Sequence, residues 1–182
     1  QVLTGLGATL IDSVLNYDFD KAEQLVTGTN ADFTTSAMSF MAPPNPRDLS
    51  VLKNRGGKII VFHGSADPVF SYYDTVAWYE GLANGGSNND VAKYARLFTV
   101  PDMNHCSGGP TTDQFDLLTP LVSWVEQGIA PDEVIATAGT AAQNSGLGSV
   151  TPGRTRPLCA YPAVARYKGS GSLEDAKSFS CQ

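Results

Sequence analysis

The chain has 182 residues, 42% of them apolar, enough for one compact domain with a sizeable core. Its 12 basic and 18 acidic residues leave a net charge of −6, which argues against a nucleic-acid partner and an anionic membrane surface and leaves small, weakly charged partners open. No apolar run approaches the roughly 20 residues that a membrane-spanning helix needs.

In chain order, residues 1–27 read as helix, with Leu10, Ile11, Val14 and Leu15 at helical spacing and Gly28 as the stop. The opening QVLTGLGATLIDSVLNY has no basic start, long apolar segment or cleavage site. It reads as the interior of something longer, with any export signal upstream. Pro43, Pro44 and Pro46 rule out a continuous helix or central strand. After the Gly56-Gly57 turn, Lys58 to His63 form a near-continuous apolar run ended by Gly64, the pattern of a parallel strand buried on both faces. SYYDTVAWYEGLA, residues 71–83, has helical length, with Val76, Tyr79 and Leu82 along one side, and NGGSNND is a polar turn. ARLFTVP is a second strand, followed by the loop PDMNHCSGGP. Residues 111–128 read as an amphipathic helix kinked or broken by Pro120 and ended by Gly128. PDEVIATA is one more short strand, and the rest reads as Gly-, Ser-, Thr- and Pro-rich connections. Strand, helix, strand, loop, helix is the order of an α/β fold with a parallel sheet.

Such sheets present functional groups beyond the carboxyl ends of their strands. Asp67 follows the first strand closely and His105 the second, in the acid-then-histidine order of the second half of an α/β-hydrolase triad. An imidazole titrating near neutrality suits activation of a hydroxyl, and a carboxylate on its other nitrogen fixes the tautomer and supports the imidazolium. SADP is equally good turn chemistry, so spacing alone leaves Asp67 either catalytic or structural. His63, the only other histidine, reads as a hydrogen-bonded group beneath the site. Two distant histidines without closely spaced acidic partners do not match a zinc site.

The nucleophile is missing. There is no G-x-S-x-G, Ser107 stands too close to His105, and Cys106 is adjacent to it, so its side chain diverges. The Cys159 to Cys181 segment is too small and polar to fold alone, and a disulfide closing it contributes roughly 3 kcal/mol in the chain-entropy account. That pairing leaves Cys106 as a free thiol or bonded to something outside the chain.

GGKIIVFHGSADPVFS, VPDMNHCSGGP and RPLCAYPAVARYKGSGSLEDAKSFSC together resemble the C-terminal part of the tannase/feruloyl esterase family, which takes in fungal tannases, type-B feruloyl esterases and mono(2-hydroxyethyl) terephthalate hydrolases. The resemblance implies the C-terminal part of an α/β-hydrolase fold: residues 1–47 return from a lid to the core, and residues 48–182 end the catalytic domain. It implies a serine esterase for phenolic or aromatic acid esters, with Asp67 as triad acid and His105 as base. Cys106 is then half of a disulfide to the Cys beside the nucleophile, and Cys159–Cys181 is the family's C-terminal bridge. Phe70 and Ser71 fall where family members contact the aromatic acyl group; Phe70 is otherwise a loop aromatic capping the core. The nucleophilic Ser, the oxyanion hole and the calcium-binding lid belong to an N-terminal half or larger subunit absent here, so this chain alone carries no cofactor and no activity. A secreted or periplasmic enzyme follows. The rival is a non-catalytic α/β binding or scaffold domain.

Overall fold

The structure, a computed structural model, describes residues 8–41, 43–83, 88–139 and 150–182. The chain divides into two compact units, Gln1–Pro46 and Arg47–Gln182.

The first unit holds α1 (Ala8–Leu15), α2 (Phe19–Thr27) and α3 (Ala37–Met41). The single helix expected up to Thr27 is broken. The Asp18 carboxylate accepts the Lys21 backbone N–H at 2.9 Å and starts a new helix, because a short acidic side chain competes for local N–H groups better as a cap than as an interior residue. Gly28 does end α2, its N–H bonding the Gln24 carbonyl at 2.8 Å. No residue of α2 or α3 is buried.

The second unit runs α4 (Ser50–Asn54), β1 (Ile59–Gly64), α5 (Tyr72–Gly81), α6 (Asn88–Val91), β2 (Ala95–Val100), α7 (Leu118–Gln127), β3 (Glu133–Thr137), β4 (Thr155–Cys159), β5 (Ala165–Tyr167) and β6 (Phe179–Cys181). Residues 84–87 of the expected polar turn, and 140–149 of the expected C-terminal connections, lie outside the described residues. β1 and β2 pair in parallel, from Ile59 opposite Ala95 to Gly64 opposite Val100. β2 is the strand buried on both faces. Leu97 packs with Tyr79, Leu82, Val91 and Tyr94, while Phe98 and Val100 pack with Met103, Val134, Ala136 and Leu158. β1 is less covered than its apolar run suggests, and Phe62 stays 41% exposed.

α7 begins at Leu118, seven residues later than periodicity suggests. Asp116 Oδ1 accepts the N–H groups of Leu118 and Thr119 at 2.8 and 3.1 Å, so Pro120 stands in the first helical turn, where a missing N–H costs nothing, and causes no kink. Gly128 ends the helix in the left-handed conformation, φ 74°. The tail is more ordered than a set of connections. β4 pairs antiparallel with β3 and β6 with β5, and the Cys159–Cys181 disulfide joins the ends of β4 and β6. Arg154 grips Glu174 through two hydrogen bonds of 2.6 Å, which helps explain why so polar a stretch is fixed.

Candidate active site: an acid and a base at two strand ends

Gly64, the last residue of β1, makes the site possible. A Cβ there would stand 2.2 Å from the Met103 carbonyl oxygen, so only glycine lets the loops leaving β1 and β2 touch. They are then stitched together. Ser65 N–H bonds the Val100 carbonyl at 2.9 Å, Ala66 N–H the Met103 carbonyl at 3.1 Å, and Asp102 N–H the Ser65 hydroxyl oxygen at 2.9 Å.

Asp67 both turns the chain and faces the histidine. Its Oδ1 accepts the backbone N–H groups of Val69 and Phe70 at 2.8 and 3.0 Å, and its Oδ2 lies 2.8 Å from His105 Nδ1. The Asp67 side chain is 4% exposed and that of His105 43%. Loss of water around Asp67 would raise its pKa, but the bond from His105 and the two backbone N–H groups outweigh this and hold the carboxyl well below the usual range. With Nδ1 given to the carboxylate, Nε2 of His105 is left to take a proton from a nucleophile and pass it to a leaving group.

His63 is buried beneath the pair, as its position on the strand suggests. Its Nδ1 lies 2.7 Å from the Thr75 hydroxyl on α5, and its Nε2 is 3.3 Å from Asp67 Oδ2, out of line for a good hydrogen bond. Phe70 is exposed, its ring centroid 5.3 Å from that of His105. Ser71 caps α5, its Oγ accepting the Asp74 N–H at 3.3 Å. Cys106 is an exposed free thiol with φ 66°, a left-handed conformation that costs a non-glycine residue roughly 1–3 kcal/mol. Glycine relieves the same turn elsewhere. At Gly109, φ 95°, a Cβ would stand 2.2 Å from the Asp102 carbonyl oxygen.

Sequence reading passed over Asp113. It is buried, its Oδ2 accepts the Gly108 N–H at 2.9 Å and its Oδ1 the Gly139 N–H at 3.4 Å, clamping the loop that carries His105. Burial would raise its pKa, but those backbone N–H groups and Gln114 hold it below the ordinary value. An acid soon after a Gly-Gly pair was the one available signal.

A cavity of about 250 Å³ is lined by Pro101, Asp102, Arg154, Arg156 and Phe179 among others, and not by Asp67, His105 or Phe70. Among the described residues no three His, Cys, Asp or Glu side chains group as a metal site requires. No helix among them is long and apolar enough to cross a membrane.

Comparison with known proteins places this geometry in context. The family model described as tannase and feruloyl esterase matches residues 3–182. The chain is 47% identical over 168 residues to a mono(2-hydroxyethyl) terephthalate hydrolase of Piscinibacter sakaiensis, covering 92% of this chain and 26% of that protein. It is 39% identical to a probable feruloyl esterase of Arthroderma benhamiae, covering 97% of this chain and 33% of that protein. Among solved structures, feruloyl esterase B from Aspergillus oryzae superposes with a TM-score of 0.61 at 30% identity, over 75% of this chain and 29% of that one. The chain thus spans about a quarter to a third of the length of the curated relatives it matches. The parallel β1–β2 pair and these neighbours make the fold part of an α/β-hydrolase type, and the chain belongs to the tannase and feruloyl esterase family, whose curated relatives are carboxylic ester hydrolases.

Proposed function

We propose that this chain supplies the acid and the base of a serine carboxylic-ester hydrolase acting on esters of phenolic or aromatic acids. The observation that carries the proposal is the 2.8 Å contact between His105 Nδ1 and the buried carboxylate of Asp67. A serine Oγ from the part of the protein outside this chain attacks the ester carbonyl carbon while His105 Nε2 takes its proton. As the tetrahedral intermediate collapses, the imidazolium returns that proton to the departing alkoxide, and water repeats the sequence on the acyl-enzyme. Asp67 keeps Nδ1 protonated and supports the imidazolium throughout.

Several features support a completing partner. The His105 side chain is 43% exposed above its buried acid, and the chain contains no nucleophile motif. In this reading Cys106 bonds the cysteine next to the nucleophilic serine, Phe70 and Ser71 border the acyl group, residues 1–47 descend from a lid that holds the family's calcium, and residues 48–182 complete the catalytic domain. A disulfide such as Cys159–Cys181 fits an oxidising compartment, secreted or periplasmic. The names of the relatives, a terephthalate monoester hydrolase and feruloyl esterases, suggest the substrate class.

The test is hydrolysis of methyl ferulate, methyl gallate and mono(2-hydroxyethyl) terephthalate by the full-length protein and its His105→Ala variant. The wild type hydrolyses at least one, and the variant loses about 10³-fold or more in kcat. Equal activity of the two excludes His105 as the base. The absence of a nucleophile favours a second reading, a non-catalytic binding or scaffold domain; it predicts an inactive wild type that a serine-directed phosphonate does not label.

A further inference from the structure

His63 lies on the face of β1 shared with Ile59 and Val61, toward α5, and its side chain is 12% exposed. Its Nδ1 is 2.7 Å from Thr75 Oγ1, and its Nε2, buried, is 3.3 Å from Asp67 Oδ2, the oxygen that also receives His105 Nδ1. That nitrogen makes no hydrogen bond among the described residues, and the Asp67 carboxylate lies beside it.

Two neutral tautomers compete. With the proton on Nδ1, His63 donates to Thr75, and a bare Nε2 lone pair faces a carboxylate oxygen in a buried place, an electrostatic clash. With the proton on Nε2, the Thr75 hydroxyl donates to Nδ1, and the positive end of the N–H dipole faces the negative oxygen. We infer that Thr75 sets His63 in the Nε2–H tautomer, and that His63 is a positioning residue that orients Asp67 and shares its charge from behind. Asp67 would then be held by the N–H groups of Val69 and Phe70 on Oδ1 and by His105 on Oδ2, with the His63 N–H 3.3 Å from Oδ2 as a longer, off-axis electrostatic contact. The titratable groups recorded against Asp67 are His63 from β1 and His105 from the loop after β2, and Tyr72 of α5 stands edge-on to His63 at 6.2 Å.

The catalytic consequence rests on the esterase reading. An N–H on Oδ2 tempers the grip of Asp67 on protonated His105. Without it Asp67 holds the imidazolium more tightly and turns more freely.

Two measurements on the full-length protein test this. Ring ¹⁵N–¹H long-range correlation in histidine-labelled wild type should give His63 a protonated Nε2 and a bare, hydrogen-bonded Nδ1. A proton on Nδ1 in any form overturns the inference, whether or not the protein is an esterase. In kinetics with whichever of methyl ferulate, methyl gallate and mono(2-hydroxyethyl) terephthalate the wild type hydrolyses, Thr75→Val and His63→Leu should lower kcat about tenfold with KM unchanged, and move the acid limb of the kcat/KM profile to higher pH by roughly half a unit. Thr75→Ser and His63→Gln should recover most of both. Loss of kcat with an unmoved acid limb, or no rescue by the conservative variants, assigns the residues a merely structural part and overturns the inference. An inactive wild type sinks the esterase reading instead, and the tautomer is still decided by the ring spectra.

Discussion

Asp67 is where local turn chemistry and candidate catalytic chemistry meet in one side chain. Its Oδ1 closes the turn and its Oδ2 faces His105, so Asp67→Asn can keep the turn through the amide oxygen while placing an NH₂ where His105 needs an acceptor. In the full-length enzyme that wrong donor should favour the wrong imidazole tautomer and lower kcat about 10⁴-fold, with the circular dichroism spectrum unchanged; near-normal turnover would remove Asp67 from the mechanism. The same carboxyl has a pH signature. Its folded-state pKa lies below its unfolded value, so its contribution to stability is present above the ordinary Asp range near pH ~4 and is lost as pH falls below it. The melting temperature of the wild type should therefore drop more steeply than that of Asp67→Asn between about pH 5 and 3, and parallel curves would show that the carboxylate is not held as described.

The loop after β2 owes its shape to a clamp rather than to regular structure. Asn104 N–H closes on the Gly108 carbonyl at 2.9 Å, Gly108 N–H is taken by buried Asp113, and Cys106 sits in a left-handed conformation between them. Asp113→Ala leaves two backbone N–H groups without their acceptor, at a cost of roughly 1–3 kcal/mol in stability. Because the loop carries His105 and Asp113 does not touch it in any recorded bond, kcat should fall while KM holds. Denaturant titration beside steady-state kinetics checks both, and Asp113→Asn should lose less, since one amide oxygen can still accept. A stable Asp113→Ala variant with full kcat would mean that the strand ends alone position His105.

At the scale of the whole molecule, the described residues of the second unit hold one parallel strand pair, β1 and β2. Two parallel strands alone are unusual, since parallel sheets are generally covered on both faces, and here Phe62 on β1 remains exposed against Phe115. In the first unit Leu15, Phe19, Leu25, Phe33 and Phe40 are all exposed. Intact mass of native full-length material digested between lid and core, with and without reduction, should show the two halves joined through Cys106 until reduced. Separate masses before reduction would leave Cys106 a free thiol. The Cys159–Cys181 bridge acts within the chain, and its double replacement by alanine should cost about 3 kcal/mol in denaturant unfolding.

How much of this was legible beforehand depended on how local the physical cause was. The apolar run ended by Gly64 marked β1 and the run ARLFTVP marked β2, each within a residue or so, and the Val76, Tyr79 and Leu82 stripe marked α5, because burial of an apolar face imprints its pattern on the sequence. The order of Asp67 and His105 just past those strands pointed to a candidate acid and base, and the polar tail between Cys159 and Cys181 pointed to the bridge. The break before α2 and the late start of α7 were missed, since a single capping carboxylate decided each against the periodicity. β4, β5 and β6 were missed because strands of three to five residues are too short to show a period, and the disulfide and the Arg154–Glu174 pair that help hold them leave no periodic trace. By itself, then, the sequence determined which residues could do the chemistry and which strands would carry them. Only the tertiary structure decided that Asp67 and His105 meet at 2.8 Å, that His63 stands behind them and that Asp113 clamps their loop, because those contacts join residues whose separation along the chain says nothing of their distance in space.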